Sequence, residues 1–280
     1  MTASNRVRAG AVGYLNARPL VYGLDELPRF ELRFDVPSVC ARLLHRGAID
    51  IGLIPSIEYL RGGPYAIVPD LAIVSHGPVA SVMLYVTKPV GDVRSIAMDT
   101  SSCTSVALTR VLCRQLFRIQ PAIEARGPDL ADMLSRCDAA LVIGDNALFL
   151  DPQAGAGIEA IDLGEAWRHL TGLPFVYAFW AGRPGVLQPE DVGALQHARD
   201  EGTRRSDELA RQYLADAPGR QALGARYLRE NIRYQLGDDE RAGLEAFYRY
   251  ALEAGLVTAA HELHFFDAAG AARAVGSTAR

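Results

Sequence analysis

The chain has 280 residues, 49% hydrophobic and 22% charged, with a formal net charge of -4. That composition is ordinary for a globular protein and excludes the collagen-like and disordered classes. The acidic balance argues against a nucleic-acid-binding protein, whose footprint is a basic face. No apolar run approaches the roughly 18 residues a membrane helix needs.

Strand-like and helix-like segments alternate from the start. Residues 7–14 form a short apolar run, followed by Asn16-Ala-Arg-Pro-Leu and a helical segment to Leu24. Residues 31–36 alternate as a strand, Pro37-Ser38 opens a helix, Asp50-Ile-Gly-Leu-Ile is a buried strand, and Pro55-Ser56 opens another helix. This order implies a mostly parallel sheet covered by helices. A second series follows, with strands at 95–99, 122–125, 139–143 and 159–163 and helices at 104–117 and 129–137, Asp129 serving as an N-cap. Ser81-Val-Met-Leu-Tyr-Val-Thr-Lys-Pro lies between the series and Phe175-Val-Tyr-Ala-Phe-Trp-Ala-Gly-Arg-Pro closes the second. Each ends in a base and a proline. They read either as two crossings between lobes or as two strands of one large sheet. Residues 189–214, 220–231 and 238–253 are amphipathic helices, and the last twenty or so residues read as a weakly held tail.

The cysteines Cys40, Cys103, Cys113 and Cys137 show no C-x-x-C or zinc spacing and read as free thiols of a reducing compartment. The first residues carry no apolar signal core, so a cytoplasmic location is expected. No H-E-x-x-H, G-x-S-x-G or P-loop is present. His261-Glu-Leu-His264 has helical spacing but lies near the tail, and Gly155-Ala-Gly157 precedes a strand instead of following one. No cofactor and no metal is expected.

What remains is a set of strand-to-helix turns rich in small polar residues: Asn16-Ala-Arg-Pro, Pro37-Ser38, Pro55-Ser56, Asp99-Thr-Ser-Ser-Cys-Thr-Ser and Gly144-Asp-Asn. In open α/β sheets ligands bind at that edge. Helix starts there offer unpaired N–H groups and partial positive charge to an anion. Any one turn is more often a plain N-cap; five in one chain favour a shared anion cleft.

The chain resembles the futalosine-pathway chorismate dehydratases, the menaquinone biosynthetic enzyme A family. The resemblance rests on Val12-Gly-Tyr-Leu-Asn-Ala-Arg-Pro-Leu20, Asp50-Ile-Gly-Leu-Ile-Pro-Ser-Ile-Glu-Tyr59 and Asp99-Thr-Ser-Ser-Cys-Thr-Ser-Val-Ala-Leu108. It continues through Val142-Ile-Gly-Asp-Asn-Ala147, Asp162-Leu-Gly-Glu-Ala-Trp167, Leu173-Pro-Phe-Val-Tyr-Ala-Phe-Trp-Ala181 and Tyr227-Leu-Arg-Glu-Asn-Ile-Arg-Tyr-Gln-Leu236. The family pattern has arginine where this chain has Cys103. The resemblance implies an α/β, two-lobed, periplasmic-binding-protein-like type II fold with two hinge-crossing strands. Lobe one is then 1–88 with 179–280, including the C-terminal helices, and lobe two is 89–178. It also implies a cytoplasmic hydro-lyase of menaquinone biosynthesis that converts chorismate to 3-[(1-carboxyvinyl)oxy]benzoate and water. The partner is a small dianion, chorismate, with no nucleic acid and no membrane.

Within that reading Ser81, Thr104 and Ser105 are expected to bind carboxylate oxygens, with Ser56 on the facing turn. Asn16 is the catalytic candidate, orienting the hydroxyl or side chain of the substrate. Asp145 and Asn146 close the site from the second lobe, and Tyr14 lies at the first turn. Arg18 either pairs a carboxylate or sits on the surface at a helix start. Tyr177 and Trp180 are more often packing than stacking. Two other readings use the same fold: a non-catalytic small-anion solute-binding protein, and a 1,4-dihydroxy-6-naphthoate synthase-like enzyme.

Overall fold

The computed structural model describes residues 6–150 and 157–266, and the backbone of 272–274. Most of the tail and the start of the Gly155-Ala-Gly157 run lie outside the described residues. The chain opens with β1 (Val7–Val12), β2 (Phe30–Asp35), α1 (Pro37–His45), β3 (Ile51–Pro55), β4 (Ala66–Ile67) and β5 (Ile73–Ser75). Next come β6 (Val82–Val86), β7 (Ser95–Asp99), α2 (Cys103–Leu112), β8 (Ala122–Arg126), α3 (Leu130–Leu134), β9 (Ala139–Ile143), α4 (Asp145–Leu148), β10 (Glu159–Asp162) and α5 (Leu163–Thr171). Then follow β11 (Phe175–Gly182), α6 (Pro189–Thr203), α7 (Ser206–Tyr213), α8 (Gln221–Glu230), α9 (Asp238–Glu253), β12 (His264–Phe266) and β13 (Ala272–Ala274).

The strands form two sheets built on one plan. The eight-stranded sheet runs β13-β12-β4-β11-β3-β1-β2, with β5 also on β11; the five-stranded sheet runs β10-β6-β9-β7-β8. In each, a parallel trio (β2-β1-β3 and β8-β7-β9) is joined by one antiparallel strand, β11 or β6. The parallel connections place helices over the sheet faces, so β3, β9 and β11 are buried along their whole length. Their sequences are near-continuous apolar runs for that reason.

Sheet membership changes between Ser75 and Val82 on the way out and between Asp162 and Phe175 on the way back. These changes precede the expected lobe boundaries at 88/89 and 178/179. Strand β6, expected in the first lobe, lies inside the five-stranded sheet, and all of β11 lies in the eight-stranded one. An apolar run closed by a base and proline marks where a strand ends. It does not say which neighbours supply its hydrogen bonds.

One carboxylate ties the two connections together. Asp162 accepts from Val79 N (2.9 Å) and Ala80 N (2.7 Å) on the outgoing connection. It also accepts from Gly164 N (2.9 Å) and Glu165 N (3.1 Å), which makes it the N-cap of α5. Burial pushes its carboxyl above the usual range, and these N–H groups oppose that rise. Gly164 must be glycine here, because a Cβ would stand 2.4 Å from Gly77 O.

Three local expectations change. The segments after β1 and β3 are 3-10 turns, Leu15–Val21 and Ser56–Tyr59, not α-helices. Pro19 inside the first removes an N–H and tightens it. The helix expected over 189–214 is two helices, α6 and α7. Part of the expected tail is docked: β12 pairs parallel with β4, and Phe265 and Phe266 are buried.

Candidate active site

The C-terminal ends of the two parallel trios face each other across a small cavity with about 40 Å³ of free volume. All five polar turns supply its wall: Tyr14 and Asn16 after β1, Pro37 after β2, Pro55 after β3, Ser102 and Ser105 after β7, and Gly144 after β9. Val79 and Ser81 come from the outgoing connection, and Tyr177 and Ala178 from β11. The polar atoms are hydroxyls, one carboxamide and main chain. Among the described residues the lining contains no Asp, Glu, His, Lys or Arg.

The start of α2 supplies the densest group of donors. Ser102 is its N-cap, and its Oγ accepts from Ser105 N (3.4 Å) and Ser105 Oγ (3.1 Å). The ten-residue helix directs its first N–H groups and the positive end of its dipole towards the cavity side. Burial raises the Tyr14 phenol above its ordinary range, and it holds Tyr177 well above it. Both therefore act as neutral hydroxyls near pH 7. Tyr177 OH meets Ser75 Oγ at 3.1 Å.

Direct hydrogen bonds cross between the halves and keep the cavity shut. Tyr14 OH donates to Ser101 Oγ (3.3 Å), and Ser38 N donates to Ser101 O (3.0 Å). Leu15 N donates to Asp145 Oδ1 (3.2 Å), and Tyr213 OH donates to Asp145 Oδ2. Gly144, with φ +64°, brings β9 against the first turn; a Cβ there would lie 2.9 Å from the Tyr14 ring.

Comparisons with known proteins agree with this geometry. A family model described as menaquinone biosynthesis matches residues 7–253. The chain belongs to that menaquinone-biosynthesis family. Among its relatives, a chorismate dehydratase from Thermus thermophilus is 33% identical over 254 residues, covering 85% of this chain and 92% of that protein. A chorismate dehydratase from Campylobacter jejuni is 32% identical over 179 residues, covering 60% of this chain and 64% of that protein. Among solved structures, protein AF1704 from Archaeoglobus fulgidus superposes with a TM-score of 0.75 at 16% identity, covering 91% of this chain and 99% of that one. The alkanesulfonate-binding protein SsuA from Xanthomonas axonopodis, bound to MOPS, gives 0.64 at 19% identity, covering 90% and 94%. The fold is thus the two-lobed one of periplasmic solute-binding proteins.

In this family member the cavity gathers Tyr14, Asn16, Ser81 and Ser105 of the expected residues. The others lie elsewhere. Ser56 and Thr104 are fully buried and bond each other (3.3 Å); Ser56 Oγ also donates to Val176 O (2.8 Å), and Thr104 Oγ1 accepts from Ile57 N (3.2 Å). They join the halves beneath the site, outside the cavity lining. Arg18 is neither a carboxylate partner nor a free surface residue. Its guanidinium is sandwiched between the Phe34 and Tyr213 rings, 4.7 Å from each centroid, and donates to Gly13 O (3.2 Å). Asp145 is spent on Leu15 and Tyr213, outside the lining, and Asn146 is exposed. Trp180 is packing, while Tyr177 reaches the wall. Sequence reasoning missed Ser102, a capping serine by its position before α2, and Tyr227, described below. Among the described residues, no three His, Cys, Asp or Glu side chains gather into a metal-binding group.

Proposed function

We propose that the chain is a chorismate dehydratase, releasing water from chorismate to give 3-[(1-carboxyvinyl)oxy]benzoate in the cytoplasm. The observation that carries this is the match over 92% of the Thermus chorismate dehydratase, in a chain whose interlobe cavity is walled by uncharged donors. Chorismate is a dianion whose ring loses the C3 hydrogen and the C4 hydroxyl and becomes aromatic. Much of the driving force is therefore in the substrate. C3 is vinylogous to the ring carboxylate, so proton loss there spreads negative charge onto that carboxylate. Ser81, Ser102, Ser105 and the first N–H groups of α2 are fixed dipoles placed to receive it. Asn16 Oδ1 is buried with no hydrogen-bond partner. A neutral acceptor in need of a donor suits the C4 hydroxyl, the one hydroxyl of the substrate. Among the described lining residues there is no carboxylate or imidazole, so a substrate carboxylate serves as the base for the C3 proton. Closure excludes water and strengthens each of these contacts.

The test is to incubate the purified protein, without added metal, with chorismate and follow it by mass spectrometry and ultraviolet absorbance. A species lighter by one water, with an aromatic spectrum, supports the reading. Chorismate that binds but is recovered unchanged would instead mark a solute-binding protein.

A further inference from the structure

Tyr227 lies on α8, far along the chain from the cavity turns, yet its fully buried hydroxyl stands 2.7 Å from Ser81 Oγ. So Ser81, whose side chain lines the cavity, is held by a tyrosine that does not line it.

The hydrogen-bond directions follow from counting donors and acceptors. A buried phenol proton needs an acceptor. Among the described residues Ser81 Oγ is the hydrogen-bond partner of the Tyr227 hydroxyl, so it is the acceptor. A serine hydroxyl has one proton and two lone pairs. Once one lone pair is taken by Tyr227, the Ser81 proton is free to point into the cavity that its side chain lines.

We propose that Tyr227 is a positioning residue for the reaction: through one hydroxyl it sets Ser81 as a donor towards the substrate. The relay runs from Tyr227 O–H to Ser81 Oγ and from Ser81 O–H to a substrate oxygen. Each bond polarises the next, strengthening the last. Without Tyr227 O–H, Ser81 loses its bias and can turn its proton away. The site would keep its shape and lose that donor.

This inference rests on the dehydratase reading only for its kinetic arm. In that arm Tyr227→Phe, Ser81→Ala and the double variant are assayed with chorismate. Tyr227→Phe should lower kcat/KM by about tenfold to a hundredfold, the scale of one hydrogen bond to a charged group. The double variant should be no worse than about twofold below Ser81→Ala, since Tyr227 acts through Ser81. Tyr248→Phe, an equally buried tyrosine bonded instead to Ser56 O, should stay within about twofold of wild type. Multiplicative losses in the double variant, or a Tyr227→Phe enzyme as fast as wild type, would overturn the proposal. The second arm needs no turnover. The Tyr227 hydroxyl proton should give a slowly exchanging resonance, assigned by its loss in Tyr227→Phe, that shifts in Ser81→Ala. A resonance that ignores Ser81→Ala would also overturn it. Wild-type protein inert towards chorismate would fail the dehydratase reading alone, and the resonance would still decide the relay.

Discussion

Asp145 offers a direct measure of how closure is held. Its carboxylate belongs to the five-stranded half and takes the Leu15 N–H at 3.2 Å and the Tyr213 hydroxyl from the other half. Asp145→Ala removes both. A hydrogen bond to a charged group contributes roughly 1.5–3 kcal/mol. Two effects reduce that figure here. Burial disfavours the charge and pushes the Asp145 carboxyl above its usual range. Tyr213 OH also keeps a second acceptor, Gly13 O, at 3.0 Å. The net loss is then about 1–2 kcal/mol, roughly a 5- to 30-fold fall in the closed-to-open ratio. Because the lost bonds lie between the halves, each half should keep its fold and the melting temperature should change little. If binding requires closure, the apparent affinity falls with the closed fraction. Steady-state kinetics with chorismate should show a raised KM, and small-angle scattering of the free protein a larger radius of gyration. A variant with wild-type KM and wild-type scattering would refute this account of Asp145.

Other outcomes follow from single contacts. Asn16→Asp sets a charge beside a dianion and should cut kcat/KM on chorismate by about a hundredfold or more; near-normal turnover would remove Asn16 from the site. Gly144→Ala combines a positive φ with a Cβ 2.9 Å from the Tyr14 ring. It should cost about 1–3 kcal/mol in thermal unfolding and lower activity together. Asp191→Asn should destabilise by roughly 2–4 kcal/mol, because Arg29 grips both carboxylate oxygens of this buried residue at 2.7 and 2.8 Å. Burial alone would raise the Asp191 carboxyl, but Arg29 and the Gln188 N–H hold it below the usual range. Its stabilisation is therefore present above the unfolded carboxyl value near 3.9 and lost as pH falls through the lower folded one. The gap in denaturant midpoint between wild type and Asp191→Asn should shrink in acid; a gap constant from pH 7 to pH 3 would contradict the assignment.

The five polar turns could be read from the sequence because each is local: a strand pattern, a small polar residue, a helix start. All five line the cavity. What could not be read is how side chains pair across the gap. Ser56 and Thr104 look like ligand-binding hydroxyls until the fold brings them 3.3 Å apart and each satisfies the other. Arg18 looks like an anion clamp until Phe34 and Tyr213, from two distant elements, close over its faces. Tyr227 opens one of the motifs that carry the family resemblance, but nothing local points it at the site, since its telling contact spans 146 positions. The lobe boundary was displaced for a related reason, as sheet pairing of β6 and β11 depends on neighbours far along the chain.

The cavity wall has a kinetic consequence. Fixed dipoles lose their reach within a short distance, so they grip an anion after arrival and do little to summon it. The net charge of -4 even opposes the approach of a dianion. Capture should therefore quicken modestly as salt screens that repulsion, the reverse of sites that draw their ligands in with a ring of lysine and arginine.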